Sequence, residues 1–254
     1  EFGTLKDGSF PTGTTSDYTK NGSTAQLDLP AGVTIAHAEL LWGCSSQVAG
    51  GAVLSTPDTV TLTLPSGVKQ VISPQGSDTS LTLVSDAFRY YMRWANVTPS
   101  VSTGGAGRYM VSRVAGVPTS SAVTGCGWTL FVVYESDTLP LKNINLWVTA
   151  EEVRYNGVGC PCETQIEVDG FCTPPAPAAP TGTLFVTSME GDARYTNDGF
   201  YVLNPFDEFY PMSGVNNAYD NFFSSQVNQL SGARDTRGTF GDRNHDVDPD
   251  DGQS

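Results

Sequence analysis

The chain has 254 residues, 27 acidic against 13 basic side chains and a net charge of −14, so nucleic acid or an anionic bilayer would meet repulsion where each needs a basic footprint. No apolar run approaches the roughly 20 residues that span a membrane as a helix, and no long amphipathic helix is legible among 27 glycines and 16 prolines. What remains is one large β-rich domain with enough chain to bury a core.

In chain order, residues 1–24 are rich in Gly, Thr, Ser and Asp and read as an irregular lead-in. A start at Glu1 rather than Met is expected of a processed or excised piece. Strands are then predicted at AQLDLP, TIAHAELLWG, DTVTLTLP and KQVISPQ, separated by Pro30-Ala31-Gly32 and Pro65-Ser66-Gly67, whose Pro and Gly favour turns. Across the second of these and the residue before it, Val33, Ile35, Ala38, Leu40 and Trp42 share one face only if the alternation slips by one residue near His37. DAFRYYMRWANVT is either a strand or a helical turn, Gly104 to Gly107 is a turn, and RYMVSRVAGV is an alternating strand.

Trp128, Leu130, Val132 and Tyr134 alternate without a break, and GWTLFVVYE with LKNINLWVTAEEV is predicted to form a hairpin around Asp137 to Pro140. Trp42 and Trp128 are both expected in the core. A Cys- and Pro-rich excursion follows at about 156–181, ending in the polyproline-like TPPAPAAP, which cannot donate to a sheet ladder. TGTLFVTS reads as a further apolar strand, the stretch from Asn204 is loop-like and aromatic, and residues 241–254 form an acidic tail. The fold class this predicts is all-β: an antiparallel β-sandwich, jelly-roll-like, over residues 25–240 with long loops.

The five cysteines suggest an oxidising compartment. Cys44 follows one core strand and Cys126 precedes another, which predicts a disulfide across the sandwich; Cys172 with either Cys160 or Cys162 is the expected second bridge. A zinc site at Cys160, Cys162 and Cys172 is disfavoured, because C-x-C lacks the usual ligand spacing and no His lies near.

The elements IAHAELLWG, RWANVTPSVSTGGAGRYMVSRV, GWTLFVVYESDTLPLKNINLW and VNNAYDNFFSSQVNQLSG, taken in order, resemble a domain near the start of large bacterial cell-surface proteins, the gliding-motility-associated and adhesin-like ones with repetitive stalks. The resemblance implies a β-sandwich with no catalytic residues. It also implies an extracellular module whose partners are other surface-protein chains or copies of itself, and further apolar strand sequence beyond the late aromatic loop. None follows Phe240 here, so the sequence predicts either a fragment or a subunit whose sheet edge is completed by a neighbour.

Only His37 and His245 are available for acid–base work, and no nucleophile elbow, zincin helix or phosphate loop is present. Asp207 and Glu208 are adjacent, and on a strand would point to opposite faces, a poor arrangement for flanking a glycosidic bond. Binding is the better expectation. Tyr201, Phe206, Tyr210 and Tyr219, with Phe200 and Phe209, lie among Asn and Asp residues, a mixture that stacks on sugar rings and bonds their hydroxyls; the alternative is that these rings fill one end of the sandwich core. Asp242, Asn244, Asp246 and Asp248 alternate like part of a calcium loop, although Val247 stands where its glycine belongs. Glu190, Asp192, Asn197 and Asp198 form a weaker acidic cluster. A calcium-dependent carbohydrate-binding module is therefore the second functional expectation.

Overall fold

A computed structural model describes residues 17–47, 57–75, 80–85, 88–116, 126–150, 163–170, 182–188, 196–204 and 208–223, with 153, 172, 175, 206 and 228. The period-two stretches become strands: β1 (Gly22–Leu27), β2 (Thr34–Gln47), β3 (Val60–Thr63), β4 (Lys69–Ile72), β5 (Ser80–Ser85), β6 (Phe88–Asn96), β7 (Gly107–Ser112) and β8 (Cys126–Glu135). One helix, α1 (Thr98–Gly104), follows β6, and two short strands, β9 (Tyr201–Leu203) and β10 (Phe209–Pro211), come late. The first eight form two antiparallel four-stranded sheets, in the orders β1-β7-β3-β4 and β5-β6-β2-β8. The chain is thus an antiparallel β-sandwich, with the strand number of a jelly roll in its two main sheets.

The slip expected near His37 is a β-bulge. Ile35 pairs with Tyr134 and His37 with Val133, leaving Ala36 as the extra residue. The bulge resets the parity, so Ala38, Leu40 and Trp42 all point inward and are fully buried. They meet Val60, Leu62, Tyr109 and Val111 of the opposite sheet in one apolar cluster. Trp128 packs against that cluster half-buried rather than within it, and its Nε1 donates to Ser23 Oγ at 2.7 Å, joining edge strands of the two sheets. DAFRYYMRWANVT resolves as strand β6 running into α1, whose Val101 plugs the core end. The turns fall where Gly was expected: Gly32 at φ 78 and Gly67 at φ 86 occupy the left-handed backbone region.

Cys44 and Cys126 are disulfide-bonded. They are directly opposite each other on adjacent strands β2 and β8, so the bridge is a staple within one sheet and not a tie across the sandwich. Alternation alone could not distinguish the two, since both cysteines carry inward parity whichever strand they face. Gly116 passes over the bridge so closely that a Cβ there would run into the Cys44 sulfur.

Two predicted strands are absent. Residues 141–150 follow the expected turn but carry no strand; Asn145 Nδ2 donates to Asn143 Oδ1 at 3.3 Å, a local bond of the kind that competes with a ladder. Lys142, placed on a core strand by the sequence, is therefore exposed on an irregular segment. Residues 182–188 are also irregular and touch the sandwich through side chains, Thr187 Oγ1 lying 3.2 Å from Thr129 Oγ1. The lead-in also ends sooner than expected, because β1 starts at Gly22.

Candidate functional site

The aromatic stretch predicted as loop contains a hairpin. β9 and β10 pair antiparallel, with Leu203 opposite Phe209, Val202 opposite Tyr210 and Tyr201 opposite Pro211, and they join no strand of the sandwich. Asn204 builds the connecting loop. Its Oδ1 accepts from the backbone N–H of Phe206 at 2.9 Å and of Glu208 at 3.0 Å, while its own N–H donates to the Glu208 carbonyl at 3.1 Å. This is the Asn-side-chain mimicry of a turn. The same amide donates through Nδ2 to Glu208 Oε2 at 2.8 Å, and the Tyr210 hydroxyl donates to that oxygen at 3.1 Å. Carboxylate, phenol and amide are thereby held together at the tip.

Directly opposed residues share a face. Tyr201, Leu203, Phe209 and Pro211 therefore lie on one side of the hairpin, and Val202 with Tyr210 on the other. Tyr201 and Phe209 meet edge-to-face with centroids 6.1 Å apart. Both sides are open, with Phe206 at the tip 81% exposed and Tyr210 52% exposed. Gly199 sets the Tyr201 ring, because a Cβ at 199 would lie 2.6 Å from its Cε2.

Beneath the hairpin, Phe200, Phe222 and Phe223 form a half-buried cluster, with centroids 5.3 Å apart for Phe200–Phe222 and 5.1 Å for Phe222–Phe223. Met212 N–H donates to the Phe200 carbonyl at 2.8 Å and Phe222 N–H to the Asp198 carbonyl at 2.9 Å, which ties this layer to the hairpin. Asn197 turns the chain at φ 84.

The expected ligand-binding residues are thus partly assembled. Tyr201, Phe206 and Tyr210 belong to one hairpin, but Tyr201 and Tyr210 face opposite ways, and Phe209 is the ring that accompanies Tyr201. Tyr219 is exposed on the neighbouring turn at 214–221. The rings on β9 and β10 do not fill an end of the sandwich core. Asp242, Asn244, Asp246 and Asp248 lie outside the described residues, as do Glu190, Asp192, Cys160 and Cys162. Cys172 is exposed with a free thiol, on a segment, 163–170 and 172, that runs exposed without secondary structure; the two cysteines expected to bridge to it, Cys160 and Cys162, lie outside the described residues. Among the described residues no group of three or more His, Cys, Asp or Glu side chains is placed to hold a metal.

No family model, curated protein or solved structure matches the chain. Its chemistry is therefore read from its own side chains.

Two buried charged groups escaped the sequence reading, and both serve the sandwich. Arg93 has inward parity on β6; its guanidinium lies 4.2 Å from the Tyr91 ring centroid and its Nη2 2.7 Å from Asp58 Oδ1. Burial pushes the Tyr91 hydroxyl well above its ordinary range, and that hydroxyl donates to the Ala115 carbonyl at 2.6 Å. Glu39, next to the bulge, is buried with Oε2 3.1 Å from His37 Nε2. Desolvation raises its carboxyl pKa, and His37 opposes the rise.

Proposed function

We propose that this chain is a secreted cell-surface module with a structural or adhesive role, and that the aromatic hairpin of β9 and β10 is its contact surface. The observation that carries the reading is the hairpin's double exposure: a two-stranded hairpin is marginal in water, yet this one turns apolar rings outward on both sides. Exposed aromatic clusters of this kind mark contact sites. The Cys44–Cys126 bridge supports an oxidising, extracytoplasmic location. The partner expected is another surface chain or a second copy of this one.

A second reading, a carbohydrate-binding module, is favoured by the tip itself, where Asn204, Glu208 and Tyr210 place polar groups beside exposed rings. Calcium dependence in that reading rests on Asp242, Asn244, Asp246 and Asp248 alone. The test compares the native chain with a Phe206→Ser/Phe209→Ser variant for binding to immobilised chain and to a glycan array, with and without calcium. Loss of binding in the variant at an unchanged melting temperature is expected, and the surface retaining the native signal separates the two readings. Undiminished binding by the variant would remove the hairpin from the account.

A further inference from the structure

The outer face of the β1-β7-β3-β4 sheet carries a cationic hollow in a chain whose overall charge is strongly negative. It has a volume of about 290 Å³, and its floor follows from the register. Gly22, Ser112 and Thr61 stand in one row across three strands, and in the next row Met110 lies opposite Thr63 and Thr63 opposite Lys69. Gly22 keeps the floor open: a Cβ there would lie 2.5 Å from Met110 Cε and 3.0 Å from Ser112 Cβ. Thr19 and Asn21 complete the wall beside Lys69 and Arg113.

The two cations are placed differently. Lys69 comes from β4 and is free to swing. Arg113 leaves the sheet from a backbone held at φ 65, a conformation that costs an L-residue about 1 kcal/mol or more and persists where neighbours enforce it. The enforcing neighbour is Asn21, whose side chain donates to the Val114 carbonyl at 2.7 Å and accepts from the Val114 N–H at 3.1 Å. Neither Lys69 nor Arg113 pairs with a carboxylate among the described residues. Asp17, two residues before Thr19, is already held by Lys20 at 3.0 Å and by the Thr19 hydroxyl at 2.6 Å.

We infer that this hollow binds one anionic sugar unit, a uronate or a sulfated hexose. Two cations of different reach, neither paired with a carboxylate among the described residues, suit a single oxyanion, with the Arg113 fork taking two of its oxygens. The Thr61, Ser112 and Thr19 hydroxyls match ring hydroxyls, and Met110 offers an apolar surface for a ring face. A long polyanion would feel the whole negative chain. A single charged unit is governed by its neighbours, because at physiological salt fields fade within about 8 Å.

This site is separate from the hairpin, so its test is separate too. Calorimetric titration of the full chain with glucuronate and glucose 6-sulfate, against glucose, acetate and inorganic sulfate, is the measurement. The charged sugars are expected to bind on the order of tenfold more tightly than glucose or either free ion. Lys69→Gln and Arg113→Gly should each weaken them by about the same factor. Arg113→Gly controls for folding, since glycine relaxes the φ 65 backbone and should melt no lower than the native chain. Charged and neutral sugars binding alike, free sulfate matching the sulfated sugar, or undiminished binding by both cation variants would each overturn the inference.

Discussion

The sandwich and the hairpin use the same kinds of residue to opposite ends. In the sandwich, Trp42, Leu40 and Tyr109 are almost wholly removed from water, a disulfide fixes two neighbouring strands, and a bulge turns the apolar parity inward. In the hairpin, Tyr201, Phe206, Phe209 and Tyr210 remain open, and an asparagine rather than a core organises the backbone. Burial makes an aromatic a stabiliser. Exposure on a preorganised turn makes it available to another molecule, with little ordering left to do on contact.

The contrast predicts a graded set of effects. Trp42→Ala should destabilise the chain by about 3 to 5 kcal/mol, since it empties the largest fully buried site; chemical denaturation with an unchanged midpoint would put the core elsewhere. Replacing Cys44 and Cys126 together by Ala should lower stability by about 2 to 4 kcal/mol, through the loop of 82 residues the bridge closes. A reduced and an oxidised sample melting together would contradict this.

Glu39→Gln tests the buried charge beside the bulge. Because burial raises the folded-state pKa, the folded chain holds that proton more tightly than the unfolded one. Glu39 thus favours folding below its unfolded pKa, and this contribution is lost as pH rises through the raised folded value. Urea titrations at about pH 4 and pH 7 should show the variant gaining on the native chain at the higher pH. Parallel profiles would mean that Glu39 is hydrated. Smallest of all should be the stability effect of Phe206→Ser with Phe209→Ser, within about 0.5 kcal/mol, as differential scanning calorimetry would report.

Much of the sandwich was legible because parity is a local signal. The break between Ile35 and Ala38 marked the bulge, and Trp128 to Tyr134 marked β8, without any knowledge of partners. Pairing is not local, so Cys44 and Cys126 could be joined correctly yet assigned to the wrong geometry. Arg93 had the inward parity of Tyr91 and Ala95, but its charge argued for the surface; the Tyr91 ring that covers it is two residues away on the same face of β6, while the Asp58 that pairs with it comes from tertiary packing. The hairpin was hidden by size, because three-residue strands are too short to display a period. Asn204 was the available signal, four residues before Glu208 and between two aromatic runs. At Asn143 and Asn145 the alternation misled, because side-chain bonding replaced the ladder.

Amide hydrogen exchange tests the division most directly. On the free, dilute chain the β2 and β8 amides from Leu40 to Trp42 and Trp128 to Val132 should open only with global unfolding, while those of β9 and β10 exchange early. With immobilised or concentrated chain, or with a glycan that binds, the hairpin amides should slow and the sandwich amides stay as they were. A hairpin already as protected as β2 in the free chain, and unchanged by every ligand that binds, would contradict the assignment of a stable core and an open contact surface.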